Sequence, residues 1–140
     1  MGSITGTYEH TMDAKGRLFV PAKLREELGS TCYLTFGFDA CLSIYPEESW
    51  KAFAEKLESL PVGKVKKTRA LFANTTKCEP DSQGRIVIPQ SLRDWAGLQK
   101  EVVIIGANTR AEIWDAEKWR IEQAEMTPES LGAMLEEWGI

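Results

Sequence analysis

Short apolar runs separated by turn-forming residues recur along the chain, and this pattern predicts β-strands joined by tight turns. Strand-forming residues at 7–12 and 18–20 flank the turn residues Asp13 to Gly16, which predicts a hairpin. The carboxylate of Asp13 can accept a backbone hydrogen bond two residues on, and Gly16 tolerates a positive φ. The same device returns at 81–84. Further paired strands are predicted at 33–36 with 42–45 and at 102–105 with 111–114.

A short helix is predicted after each turn unit. Pro21 and Pro89 suit the first helical position, because a proline there gives up only an N–H that has no intrahelical partner. Gly29 and Gly97 suit the position that follows the last helical residue. The two halves are therefore expected to carry matching short helices.

Longer amphipathic helices are predicted in three further places. One begins at Pro46, and its counterpart follows the N-cap candidate Asp115. The first has apolar residues at helical spacing that indicate core or a subunit contact, namely Trp50, Phe53, Leu57 and Leu60. The last helix is expected after Thr127, and its apolar face would cover the body or a neighbouring subunit through Leu131, Met134, Leu135 and Trp138.

One supersecondary unit occurs twice in the chain. DAKGRLFVPAKLREELG at 13–29 returns as DSQGRIVIPQSLRDWAG at 81–97, with seven of seventeen positions identical, where ordinary residue usage gives about one match. A unit of half this chain buries too little apolar surface to be stable alone, so the halves are expected to share one core. The predicted organisation is a first unit with its helix at 6–60, a connector helix at 61–73, a second unit at 74–125 and a C-terminal helix at 126–140.

The composition is that of a soluble globular protein, with 43% hydrophobic and 27% charged residues. Apolar runs of membrane-spanning length and a secretory signal are missing, so a cytosolic protein is expected. Three cysteines without a CxxC pair disfavour a disulfide framework or a zinc ribbon, and we expect them to be reduced and packed. The single histidine, His10, is expected to be a surface or half-buried ring rather than a metal ligand.

Charge is unevenly distributed along this chain, whose net charge is −4. Residues 111–140 hold eight acidic and two basic residues, a net charge of −6. The window 13–25 of the first repeat carries +3, and the matching window of the second repeat carries +1. The acidic segment is open to three interpretations: a solvated rim, a subunit contact, or a surface that repels DNA.

The repeated turn carries the most informative chemistry. In both copies an aspartate is followed four residues later by an arginine, Arg17 or Arg85, and the next helix carries a second arginine. A guanidinium group is a planar fork of donors that can bind a phosphate or read guanine O6 and N7. A rigid turn that displays such a group is therefore suited to contact DNA.

The segments DAKGRLFVPAKLREELG and DSQGRIVIPQSLRDWAG resemble two copies of the AbrB/SpoVT swapped-hairpin DNA-binding unit. Two copies in a chain of this length are similar to the MraZ family, and YEHTMDAKGRLFVPAK, CLSIYPEESW and AEIWDAEKW carry that likeness. The resemblance covers residues 6–125, and the paired DxxxR signatures are its specific part.

The resemblance implies an α+β fold in which two pseudo-symmetric swapped-hairpin units interleave into a small β-barrel with flanking helices. It implies a ring-shaped homo-oligomer that binds double-stranded DNA at short direct repeats in its own promoter. In this interpretation the protein is a repressor of the division and cell-wall gene cluster, cytoplasmic and nucleoid-associated. A cofactor, a metal, a membrane anchor and a small-molecule substrate are not expected.

The predicted DNA-binding set contains six turn residues, two helix arginines and one helix lysine. It consists of Asp13, Lys15, Arg17, Lys23, Arg25, Asp81, Gln83, Arg85 and Arg93. The turn residues and the arginines are implied by the resemblance, and the lysine belongs to the basic window of the first repeat. In the second copy Gln83 replaces Lys15. Ser91 likewise replaces Lys23, so this copy either contacts DNA as well or mainly completes the barrel.

Two other function classes stay open. A small barrel enzyme is disfavoured because the sequence lacks GxxxxGK[ST], GxSxG and HExxH motifs and has one histidine. An AbrB-type antitoxin or other protein-binding module would typically carry a long disordered tail. Residues 111–140 instead have apolar anchors at helical spacing near their end.

Overall fold

The computed structural model describes residues 3–61 and 64–140, and these form eight strands and six helices. The strands are β1 (Thr7–Thr11), β2 (Arg17–Phe19), β3 (Cys32–Phe36), β4 (Leu42–Pro46), β5 (Thr76–Cys78), β6 (Arg85–Val87), β7 (Glu101–Gly106) and β8 (Ala111–Asp115). The helices are α1 (Ala22–Leu28), α2 (Glu47–Glu58), α3 (Val65–Ala73), α4 (Gln90–Ala96), α5 (Ala116–Ala124) and α6 (Pro128–Glu137). The predicted α+β class is confirmed. Residues 62 and 63 of the predicted connector lie outside the described residues.

Six of the strands form one antiparallel sheet in the order β1-β7-β8-β4-β3-β5. The first strand of each half pairs with a strand of the other half. Thr7 of β1 lies opposite Ile105 of β7, and Cys78 of β5 lies opposite Cys32 of β3. The predicted pairs β3–β4 and β7–β8 are confirmed. The sheet therefore joins the two repeats at both of its outer strands.

The remaining strands, β2 and β6, form a separate antiparallel ribbon. Leu18 lies opposite Ile86, and these two side chains are 0% and 3% exposed. The predicted hairpin between 7–12 and 18–20 is therefore wrong in its pairing. The turn forms, but β1 pairs with β7 and β2 pairs with β6.

The predicted barrel is corrected as well, because in the described ranges the six-stranded sheet is open, with β1 and β5 at its edges. The strands that would continue past these edges, β2 and β6, are three residues long and bond to each other instead. The pairing of β1 with β7 also continues just past the end of β1, since the N–H of Met12 donates to the carbonyl of Lys100 at 2.8 Å.

One core runs through both halves, as expected from the size of a single unit. Its fully buried side chains come from the first half, including Leu18, Leu24 and Leu34, and from the second, including Leu92 and Ile104. Burying each such side chain contributes about 2 kcal/mol relative to leaving it in water. Neither half could keep this contribution if it were separated from the other.

The helix ends follow the predicted chemistry with one shift. Pro21 and Pro89 occupy the N-cap positions of α1 and α4 rather than the first helical positions. Their extended ψ angles, 148° and 153°, place them just outside each helix. The predicted N-cap at Asp115 is confirmed, since its carboxylate accepts a hydrogen bond from the backbone N–H of Lys118.

The predicted C-terminal helix is confirmed as α6, which Thr127 caps through a reciprocal pair of hydrogen bonds with Ser130. Leu131 and Met134 of this helix are exposed and Leu135 is half-buried, and Trp138 at its C-terminal cap is 72% exposed. By contrast, Trp50 on α2 is 8% exposed and packs against Tyr33, so that part of the predicted stripe belongs to the core. Among the described residues, none of the helices has the length and apolar character required to cross a membrane.

Candidate nucleic-acid interface

The first turn is organised by the carboxylate of Asp13. Its Oδ1 accepts hydrogen bonds from the backbone N–H groups of Lys15 at 3.0 Å and Arg17 at 2.8 Å. Its Oδ2 accepts a hydrogen bond from Nε of Arg17 at 2.6 Å. Gly16 closes the turn with a φ of +82°. One aspartate therefore fixes the backbone of the turn and the direction of its arginine.

The second turn repeats this arrangement atom for atom. Oδ1 of Asp81 accepts hydrogen bonds from the N–H groups of Gln83 and Arg85, both at 2.9 Å. Its Oδ2 accepts a hydrogen bond from Nε of Arg85 at 3.3 Å. Gly84 has a φ of +77°. The two repeats therefore share the structure of the turn as well as its sequence.

These hydrogen bonds also set the charge of the turns. The backbone N–H and the guanidinium group of Arg17 hold the pKa of Asp13 below its usual value. The backbone N–H of Arg85 does most to lower the pKa of Asp81. Both carboxylates are therefore ionised at neutral pH, and both turns keep their geometry there.

The ribbon brings the two turn arginines to one surface. In the antiparallel pairing Arg17 lies opposite Val87, and Phe19 lies opposite Arg85. Directly opposed residues share a face of a ribbon, and alternate residues along a strand share it too. These four residues therefore form one surface, here called the ribbon face, on the side away from the buried Leu18 and Ile86.

The ribbon face is open to solvent. The side chains of Arg17 and Arg85 are 38% and 33% exposed, and Phe19 and Val87 are 38% and 57% exposed. The hydrogen bond to aspartate uses only Nε of each arginine, so within the described residues the terminal N–H groups are available to bind a partner. The surface combines two oriented cations with two apolar side chains.

Each turn is also locked to the opposite half. The carbonyl of Gly16 accepts a hydrogen bond from the N–H of Ile88, and the carbonyl of Gly84 accepts one from the N–H of Val20, both at 2.8 Å. A Cβ at Gly16 would lie 2.6 Å from the carbonyl oxygen of Ile88 and 3.1 Å from Arg93. The first turn therefore requires glycine for packing as well as for φ.

The helix arginines, predicted to reach DNA, are half-buried beside the turns. Arg25 packs against Gly84, donates a hydrogen bond from Nη1 to the carbonyl of Val20, and stands over the ring of Phe19 with Cζ 5.5 Å from its centroid. Arg93 occupies the matching place beside Gly16. In the described part of the chain its buried Nε has no hydrogen-bond partner.

The remaining predicted residues are exposed. Lys15 and Gln83 are at the tips of the two turns, and Lys23 is in the first turn of α1. His10 is half-buried, as expected, with its ring 5.4 Å from that of Phe19 in an edge-to-face arrangement. The second copy therefore lacks two cations but keeps the whole oriented turn.

The apolar half of the ribbon face was not predicted from the sequence. Phe19 and Val87 appear in the sequence as ordinary strand residues. The period-two alternation with the buried Leu18 and Ile86 was the available signal, since it places their neighbours on the opposite side of the strand.

Comparison with known proteins gives the same family for both halves. The family model described as "MraZ protein, putative antitoxin-like" matches residues 3–72 and again residues 71–137. Several bacteria have proteins named "Transcriptional regulator MraZ" that are similar to this chain. The one from Halothermothrix orenii is 46% identical over 140 residues, covering 96% of this chain and 98% of the relative.

Two further relatives with that name support the match. The protein from Caldicellulosiruptor saccharolyticus is 47% identical over 143 aligned positions, with 98% of this chain and 99% of the relative covered. The protein from Carboxydothermus hydrogenoformans is 49% identical over 117 residues, with 81% and 82% covered. The resemblance expected from the doubled turn is confirmed, and the chain belongs to the MraZ family.

Proposed function

We propose that the chain is a sequence-specific regulator of transcription that binds double-stranded DNA through the ribbon face. The observation that carries this proposal is the presence of Arg17 and Arg85, from different repeats, on one exposed surface. The major groove admits a two-stranded β-ribbon. The name of the relatives, transcriptional regulator, is consistent with this function.

The proposed contacts divide between cations and apolar groups. The forks of Arg17 and Arg85 can read guanine O6 and N7 or bind phosphate, and Phe19 and Val87 can contact thymine methyl groups. Lys15 at the tip of the first turn adds a phosphate contact. Because Asp13 and Asp81 orient both arginines before binding, little side-chain freedom is lost on contact with DNA.

Each proposed contact surface is small, so tight binding needs several copies. Affinity falls steeply with salt in proportion to the phosphates that are neutralised, and one ribbon face offers few cations. We therefore propose a ring-shaped homo-oligomer that engages short direct repeats in its own promoter. Simultaneous engagement raises the effective concentration of each further contact, provided that the spacing of the repeats fits the ring.

The proposed biological outcome is repression of the gene itself and of the division and cell-wall gene cluster behind it. An oligomer held on promoter repeats blocks access to that promoter. The acidic residues of 111–140, with a net charge of −6, would disfavour docking of DNA on the C-terminal helices and so direct it to the ribbon face. This outcome rests on the family resemblance together with the charge distribution.

A salt-dependent titration tests the DNA-binding proposal. The probe is the DNA upstream of the gene for this chain, and the control DNA is a scrambled sequence of equal length. Arg17→Ala should weaken specific binding about 5- to 150-fold, which corresponds to about 1–3 kcal/mol per lost base contact, and should leave the oligomer intact by size-exclusion chromatography. Lys51→Ala removes the same charge from exposed α2 and should bind like the wild type. Equal affinities of the two variants would refute the proposed surface.

A second candidate function, a protein-binding module of the antitoxin type, is favoured by the exposed apolar side chains of α6. Limited proteolysis distinguishes the two functions. A C-terminal segment that is disordered until it binds a protein partner should be cleaved within 126–140 as soon as protease is added. Resistance of that segment in the isolated protein would count against the antitoxin.

A further inference from the structure

Cys32 and Cys78 form a cross-strand pair between the two repeats. They lie directly opposite each other in the antiparallel pairing of β3 with β5. Directly opposed residues of such a pair have Cα atoms about 4.5 or 5.5 Å apart, and disulfides span Cα separations of about 4.4–6.8 Å. The backbone therefore already has the spacing that a disulfide requires.

The side chains around the pair hold this register. On one side Thr31 donates a hydrogen bond to Glu79, at 3.5 Å. On the other side Thr75 donates a hydrogen bond to Thr35, at 2.9 Å. Both links join β3 to the chain around β5 and flank the cysteines. The two thiols are thus kept opposite each other by contacts that do not involve sulfur.

The thiols also interact with each other. Cys32 and Cys78 are free and buried, at 2% and 5% exposure. The thiol of Cys32 donates a hydrogen bond to the backbone carbonyl of Cys78 at 3.7 Å, and the neighbouring Cys32 side chain lowers the pKa of the Cys78 thiol. A thiolate is the form of cysteine that reacts with peroxides and disulfides. Of the two, Cys78 is therefore the one prepared to act as the nucleophile.

We propose that Cys32 and Cys78 are an oxidation site at which hydrogen peroxide forms a reversible disulfide between the two repeats. The Cys78 thiolate attacks one peroxide oxygen, so that an S–O bond forms, the O–O bond breaks and hydroxide leaves to become water. The Cys32 sulfur then attacks the sulfur of the Cys78 sulfenic acid; the S–S bond forms and the S–O bond breaks. A second water leaves with the Cys32 proton. Two thiols lose two electrons, and one peroxide becomes two waters.

The position of β5 makes this site reachable although both sulfurs are buried. β5 is three residues long and lies at an edge of the sheet, where local opening costs less than in the centre. The strand leads directly into the turn of Asp81. A disulfide would therefore fasten the entrance of the second turn to the first half of the chain.

The third cysteine provides a matched control. Cys41 is fully buried, and its thiol donates a hydrogen bond to the carbonyl of Phe38 at 2.9 Å. Burial raises the pKa of Cys41 to about 12. Cys41 should therefore remain a thiol under conditions that oxidise the pair.

The test treats the folded chain with a small excess of hydrogen peroxide, alkylates the remaining thiols after denaturation and maps the peptides by mass spectrometry. The wild type and Cys41→Ser should both lose two hydrogen atoms and give a Cys32–Cys78 peptide, which dithiothreitol separates again. The oxidised protein should melt about 10 °C higher, because the bond closes a long loop.

Two results would overturn the proposal. One is that treated wild-type protein keeps three alkylated cysteines. The other is that Cys78 is found as a sulfinic acid, or linked between chains, with Cys32 still alkylated. Cys32→Ala and Cys78→Ala should lack the linked peptide. The decisive outcome comes from the wild type and Cys41→Ser, so it does not depend on whether these two variants fold.

Discussion

Gly16→Ala is the most informative single change to the coupling between the two repeats. It alters no charged side chain, yet it adds a methyl group where the first turn meets the second half. The residue has a φ of +82°, a conformation that costs about 1–2 kcal/mol for an alanine. The new Cβ would also lie 2.6 Å from the carbonyl oxygen of Ile88, a backbone atom just after β6 that cannot move as freely as a side chain.

The expected loss of stability is the sum of the backbone strain and the cost of relieving this steric overlap. Relieving the overlap separates the turn from Ile88 and breaks the hydrogen bond from the N–H of Ile88 to Gly16, at the cost of about 1 kcal/mol. The free energy of unfolding should therefore fall by about 3 kcal/mol, equivalent to roughly 10 °C in Tm for a chain of this size. Reversible urea denaturation followed by tryptophan fluorescence measures it.

Alanine substitutions at two other glycines distinguish the cost of backbone strain from the cost of steric overlap. Gly97→Ala places its Cβ near the flexible end of Lys118 at a φ of +59°, so it should cost only the strain of about 1 kcal/mol. Gly132→Ala, inside α6 with open space around it, should gain about 0.5–1 kcal/mol. If Gly16→Ala proved no more costly than Gly97→Ala, the packing between the first turn and Ile88 would be refuted.

Three further outcomes are expected. The pKa of both turn aspartates is lowered in the folded chain, so their stabilising effect is complete above their unfolded pKa and is lost as pH falls through the folded pKa. Urea denaturation between pH 5 and pH 2 should therefore show a smaller loss of the free energy of unfolding for the double variant Asp13→Asn/Asp81→Asn than for the wild type. Equal losses would contradict this. Trp50→Ala should cost about 3–5 kcal/mol in the same assay, because Trp50 is 8% exposed and packs against Tyr33, whereas a loss below 1 kcal/mol would contradict that packing. Cys41, whose pKa is raised to about 12, should resist iodoacetamide at pH 8 until the chain unfolds, and rapid labelling of the native protein would contradict its burial.

The local features of the fold could be predicted from the sequence because residues close together in the chain determine them. An aspartate that bonds the backbone two and four residues on, followed by a glycine with positive φ, specifies the turn on its own. Asp115 and Thr127 likewise cap the helices that follow them. The paired strands β3–β4 and β7–β8 are also neighbours in sequence.

The long-range pairings could not be predicted in the same way. β2 and β6 are three residues long, and nothing within either strand specifies a partner in the other repeat. Adjacency in sequence instead favoured a hairpin with β1, which was wrong. The half-buried places of Arg25 and Arg93 depend on glycines in the opposite half, so helix position alone favoured exposed arginines.

In the proposed complex both repeats present an arginine to the same DNA. Comparing Arg17→Ala, Arg85→Ala and the double variant tests this arrangement. Binding to the upstream DNA is measured over a range of salt concentrations for each. We predict that both single variants bind more weakly than the wild type and that the double variant is weakest. If Arg85→Ala bound like the wild type while Arg17→Ala lost binding, the second repeat would serve only to complete the fold, and the claim of a shared ribbon face would be contradicted.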